Sequence, residues 1–378
     1  MISMKQFPIT TEEELKQAIT RFKERIDYFS GYQKKIAEKF LWKAQELKNI
    51  DLEFEARRLL VSYYNNLHEY DKGFATFSWL LQRCDEDRER FNYKSILGLY
   101  SLIIIVAKQY SAIPKTRVIE LFDDFERRYR EMGIGERMIS SYKFYQYSEM
   151  GEIEQAEKEY IVWQAASSAV FFPCKQCEEL FLSAYLADEG RYEELLELIQ
   201  PVLDGRITCH YNELSELHQG MLACMMLGRW EEATVLEVRS RKFLDLDIAF
   251  LYEFSSHLLY YGITGAFEKG RILFEKQLPH AREIAPDLTR LKFFISSQEF
   301  FRRLHQNGRT FVQLNLPGFT AVPAEADGYE VAGLMKYCQD EMNRLAEALD
   351  SRNENDYHKK QTALLVERCV AIEQQVCE

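Results

Sequence analysis

"EGRYEELLELI", residues 189–199, decides the fold, because the phrase recurs in register along the chain. It consists of a turn residue, a polar residue or two, an aromatic or aliphatic residue, acidic residues, and then a small residue opening a helix. Further copies are "MGEIEQAEKEY" around Gly151, "LGRWEEATVLE" around Gly228 and "TGAFEKGRILF" around Gly265, so successive glycines lie 39, 38 and 37 residues apart. Each glycine predicts the left-handed cap that ends one helix, a conformation without Cβ cost for this residue. Two positions on stands an expected buried wedge: Ile153, Tyr192, Trp230 or Phe267. Three further on comes a helix-crossing position, Ala156, Leu195, Ala233 or Gly270, usually small so that paired helices approach closely. The spacing predicts a helix–turn–helix unit repeated in register.

Upstream the phrase weakens and the period persists. In "LHEYDKGFATF", His68 takes the turn slot, Tyr70 the wedge and Gly73 the crossing, and Gly31 in "FSGYQKK" stands 37 residues earlier as another turn residue. The 83 residues between His68 and Gly151 leave room for two units, with "SAIPK" near Tyr110 as a divergent turn. About six or seven helix pairs would then cover residues 10–280. Residues 1–50 read as N-terminal helices, a cap or a first divergent repeat, and residues 51–280 as the array. Residues 281–378 read as a C-terminal helical cap. It would hold one long helix from Ala281 to Gln306, an irregular loop over 307–330, and two helices near 330–350 and 356–376.

The repeated phrase resembles the tetratricopeptide repeat at the turn and the crossing. It departs from that family at the eighth slot, where Phe144, Ser183, Met221 and Leu258 replace small residues, and its period exceeds the usual 34 residues. The resemblance implies an all-α right-handed superhelix, an α-solenoid. From about residue 130 to 360 the chain is also similar to long bacterial tetratricopeptide-repeat proteins that carry a "CxxC", a "GRLTC"-like segment, a "GxxxRAL…LP" repeat and a "DARNG"-like segment. The matching stretches are Cys174–Cys177, "DGRITC" ending at Cys209, "GAFEKGRILFEKQLP" and "DSRNEND". No activity comes with that similarity.

Only 48 basic residues face 60 acidic ones, a net charge of -12, which repels phosphate backbones and anionic lipid alike. Neither a nucleic-acid nor a membrane partner is expected. The opening "MISMKQFPIT" has no apolar core of a signal peptide, and "LIIIVA" at 102–107 is far short of a membrane span, so a cytoplasmic location is expected. There the eight cysteines stay reduced.

Three cysteines cluster at helix starts of adjacent units: Cys174, Cys177 and Cys209, with His210 the first choice for a fourth ligand and His218 and Glu178 behind it. Three readings stay open: reduced packing thiols, a structural zinc site, or a redox dithiol, the last lacking its expected βαβ context. A cofactor is thus either absent or a structural zinc. No phosphate loop, HExxH or GxSxG occurs, and the seven histidines are scattered, so no enzyme is expected.

Binding is what a solenoid offers. Among tetratricopeptide solenoids the first helices line the concave groove. This register then implies groove positions at Arg58, Ser62, Asn65 and Asn66, then at Ser141, Tyr145, Ser148 and Glu149, and then at Leu180, His218, Leu222, Tyr252 and Ser255. Such a groove suits a protein or peptide ligand, extended or helical, with one charged and one apolar end. A regulator answering to a signalling peptide is the alternative implied by bacterial quorum-sensing solenoids, and a zinc module or enzyme around the cysteines comes after it.

Overall fold

The computed structural model describes residues 9–27, 30–167, 175–206, 213–243, 251–283 and 286–376. Among the described residues the chain is all-α apart from one small sheet, and its contacts divide into two compact units, Met1–Ala107 with Leu121–Met132, and Lys108–Glu120 with Gly133–Glu378.

The first unit holds α1 (Glu12–Lys23), α2 (Gly31–Glu46), α3 (Ile50–Asn66), α4 (Tyr70–Glu86), α5 (Leu97–Ala107) and most of α6 (Lys115–Glu131). Local chemistry starts these helices. Thr11 and Glu14 form a reciprocal capping box on α1, Ser30 caps α2, and Asn49 accepts the Leu52 N–H at 3.0 Å to cap α3. The first core joins Leu15, Ile19 and Phe22 of α1 to Phe40 of α2 and to Leu60 and Tyr63 of α3. Gly31 departs from the expected turn. It opens α2 behind its Ser30 cap, and the left-handed positions flanking α3 are Lys48 (φ 52°) and His68 (φ 60°). A glycine can equally begin a helix, so the spacing alone does not distinguish the two roles. His68 holds its uncommon backbone with a ring nitrogen 2.8 Å from the Tyr70 hydroxyl.

The second unit contains α7 (Glu136–Met150), α8 (Ile153–Ala165), α9 (Lys175–Glu189), α10 (Tyr192–Leu203), α11 (Glu213–Met226), α12 (Trp230–Ser240), α13 (Leu251–Ile263), α14 (Phe267–Glu283) and α15 (Asp287–Gln306). Then come β1 (Phe311–Val312), β2 (Ala324–Glu325), β3 (Gly328–Glu330), α16 (Val331–Asn353) and α17 (Tyr357–Val376). Gly151, Gly190, Gly228 and Gly265 all take the left-handed conformation between the helices they were expected to separate. Ala156, Leu195 and Ala233 are fully buried, and at Gly270 the Phe300 ring occupies the place a Cβ would need. The wedges are shallower than expected: Tyr192 is buried, while Ile153, Trp230 and Phe267 are half-buried. Neighbouring odd-numbered helices pack on one another from α7 through α9, α11 and α13 to α15, and α16 packs along α15.

Two expectations for the tail change. The helix foreseen from Ala281 to Gln306 is two helices, because α14 runs on to Glu283 and α15 starts behind Pro286, which lacks the N–H to continue a helix. The stretch 307–330 is not wholly irregular: it folds into a three-stranded antiparallel sheet of order β1-β3-β2, pairing Phe311 with Glu330 and Glu325 with Gly328. Ala326 and Asp327 form the turn between β2 and β3, and Gly328 follows it as the first residue of β3. Gly328 sits at φ 105° with the Val312 carbonyl where a Cβ would project. Gly328→Ala is therefore expected to cost about 1–3 kcal/mol, read as a lowered urea midpoint.

Candidate functional site

The odd-numbered helices of the second unit present one connected polar face. His218 and Leu222 of α11 and Tyr252 and Ser255 of α13 line a single cavity, joined by Asp188 of α9, Lys292 of α15, and His358, Thr362 and Arg368 of α17. The structure thus brings four of the foreseen groove residues together, and lays across them a helix of the expected C-terminal cap. Under α17 about 40 Å³ remains, room for a few waters.

On α7 the polar face centres on Lys108, from the loop before α6. Its side chain is 2% exposed, its ammonium lies 3.0 Å from Glu149 Oε2 and 3.2 Å above the Tyr145 ring, and it donates to the Tyr145 carbonyl. Burial pushes the amine down to about 8, against the pull of Glu149. Tyr145 in turn stacks flat on Phe181 of α9, centroids 4.4 Å apart. Burial, Glu149 and a hydrogen bond to its carboxylate hold the Tyr145 hydroxyl well above its ordinary range. Burial, with the Asp188 and Glu149 carboxylates, does the same for Tyr252, so these four residues form one electrostatic cluster.

Further along, His218 Nδ1 lies 2.8 Å from Ser256 Oγ, and its ring packs 4.6 Å from Tyr252. His257 Nε2 lies 2.8 Å from Ser240 Oγ, and Ser215 donates to Glu253. Asp188 pairs with Lys292, linking α9 to α15. Burial drives the imidazoles of His218, His257 and His358 down to about 3, 4 and 3 respectively, so all three are neutral at pH 7.

The seat of α17 is polar as well. Asp350 of α16 accepts the His358 and Lys359 N–H groups at 2.8 and 3.0 Å, supplying the helix's cap across the turn. Asn355 donates to the Met150 carbonyl at the end of α7. Arg368 donates to the carbonyls of Asp188 and Glu189 at the end of α9 and to the Tyr192 hydroxyl, where the helix dipole favours a cation. Arg303 of α15 donates to the Cys369 carbonyl. Two repeat glycines make this approach feasible: a Cβ on Gly151 would overlap Tyr357, and one on Gly190 would lie 2.5 Å from the Arg368 guanidinium, whereas Gly265 faces open space. The buried stripe of α17 is His358, Thr362, Cys369 and Ile372, and Thr362 Oγ1 finds no hydrogen-bond partner among the described residues. Leu364 and Val370 stay exposed.

Arg58, Asn65 and Asn66 lie on α3 in the first unit. There Arg58 donates to the Ser95 carbonyl and pairs with Glu55, and Asn66 donates to the Ser62 carbonyl, so both are engaged within that unit. Cys174, Cys209 and His210 lie outside the described residues, as does the side chain of Cys177, whose backbone is in the first turn of α9. Among the described residues Cys84, Cys224, Cys338 and Cys369 are buried free thiols, and burial raises Cys84 and Cys224 to about 11. Also among the described residues, no helix is long and apolar enough to cross a membrane. No protein-family model matches the chain, and no curated protein matches it significantly.

The sequence reading missed Lys108, Asp188, Lys292 and Arg368. Lys108 had a signal, a lone charge closing the apolar run "LIIIVAK". The others look like ordinary surface charges and acquire their place through contacts remote in sequence.

Proposed function

We propose that the chain is a protein- or peptide-binding scaffold built as a right-handed α-solenoid of tetratricopeptide-like helix pairs. Its ligand is a helical segment held on the face of the first helices, Tyr145, Glu149, His218, Leu222, Tyr252 and Ser255 among them. The observation that carries this reading is the seat of α17: a helix already lies on that face, held by Arg368 and Asn355 on helix-terminal carbonyls. Its buried stripe is unusually polar for a core helix and its exposed side keeps Leu364 and Val370, a pattern that fits a resident occupant better than an optimised core element. Helix-in-groove recognition uses the same i, i+3, i+4, i+7 anchors.

The test uses a labelled peptide of residues 357–376 and the full chain carrying Asn355→Ala and Arg368→Ala. The double variant is expected to bind the peptide at least tenfold more tightly than the wild type, measured by fluorescence anisotropy. Amide exchange in α17 shows whether the resident helix has been loosened. A loosened α17 with no peptide binding would sink the reading.

A further inference from the structure

We propose that the cleft between the α7–α8 and α9–α10 pairs is a binding site for an aliphatic polyamine, separate from the face that α17 covers. The cleft has a volume of about 510 Å³, within the range of small-molecule sites. Its floor is Phe144, 1% exposed. Tyr160 and Tyr185 rise from that floor with centroids 5.6 and 5.3 Å from Phe144 and planes inclined at 47° and 72° to it. The two half-buried tyrosines, braced on Phe144, can offer ring faces to a cation or its adjoining methylenes.

The charges around the rings are acidic. Glu157 from α8 and Glu194 and Glu197 from α10 line the cleft. Arg191, the one basic residue lining it among the described residues, pairs with Glu194, its Nε and Nη2 at 2.7 and 2.5 Å from the two carboxylate oxygens. Glu157 and Glu197 make no ion pair among the described residues, and they stand on different helices with apolar wall between them, including Leu182 and Leu198. Two unpaired carboxylates flanking an aromatic and aliphatic surface match a ligand with cationic ends and a methylene body. They mismatch an anion.

The probe is spermidine, titrated calorimetrically into the full chain at physiological salt, with 1,5-pentanediol as the uncharged control. One saturable site per chain is expected, with no response to the diol. Glu157→Gln, an exposed change that leaves the helices intact, is expected to weaken binding about tenfold, and Tyr185→Leu by a similar factor. Three outcomes would overturn the proposal. Many weak equivalents per chain, unchanged in both variants, would mean only the counter-ion atmosphere of an acidic protein. Equal binding of pentanediol would mean an apolar cleft with no charge recognition. Binding of Nα-acetyl-lysinamide without spermidine would mean that the ammonium comes from a partner's lysine.

Discussion

Acidifying the protein from pH 7 to pH 5 is expected to destabilise the second unit by about 2 kcal/mol for each of His218, His257 and His358, the largest effect foreseen. The sign follows from burial. Each imidazole titrates at about 3 to 4 in the folded chain and near 6.5 once unfolded. Above pH 6.5 both states are neutral and no proton is exchanged. Below it the unfolded chain takes up protons that the folded chain refuses, so stability falls by about 1.4 kcal/mol per pH unit per histidine. Glu253, whose carboxyl burial pushes up, works in the opposite sense once the pH nears its raised value. Urea unfolding at pH 7, 6 and 5 measures the slope, and His257→Asn should remove about a third of it. A midpoint unchanged between pH 7 and 5 would contradict three buried neutral rings.

The second large effect is at Lys108. Replacing it by alanine strands Glu149, whose side chain is only 15% exposed, and removes the cation from the Tyr145 ring. Breaking one side of a buried pair costs about 3–5 kcal/mol. The double change Lys108→Met with Glu149→Gln removes both charges while keeping similar volumes, and is expected to restore most of that loss. A double-mutant cycle by chemical denaturation reads the coupling. Additive losses would show that the ammonium and the carboxylate do not depend on each other.

The repeated turns were legible because each depends on a residue and its near neighbours. Glycine at a left-handed position, a small crossing residue and acidic first turns are local chemistry, and Gly151, Gly190, Gly228 and Gly265 take the expected backbone. His68 was legible for the same reason, through its period. Gly31 was misread because helix starts and helix ends both accept glycine. That His218, Leu222, Tyr252 and Ser255 share one face followed from register, since helical periodicity fixes which residues lie together. What covers them did not follow. Arg368 recognises main-chain carbonyls at the end of α9, and carbonyls are present at every helix end, so no side-chain pattern in α9 marks the place. Asp350 capping α17 is another such case, because the capping residue precedes the helix by more residues than any local motif allows. The aromatic cleft was hidden likewise: Phe144, Tyr160 and Tyr185 lie on three helices, and no local pattern links them.

The returning tail has a consequence for how such a chain can evolve. In the solenoid proposed above, units that touched only their neighbours could be gained or lost freely. Here Tyr357 abuts the turn after α7, while the carbonyl of Cys369 is held by Arg303 of α15. Those two points on α17 are twelve residues apart, about 18 Å of helix. The tail thus acts as a gauge: duplicating or deleting one pair between α7 and α15 would put a fixed rod out of step with its anchors. Unit number and tail length can drift only together, and the glycines at 151 and 190 are bound to that tail as firmly as to their own turns.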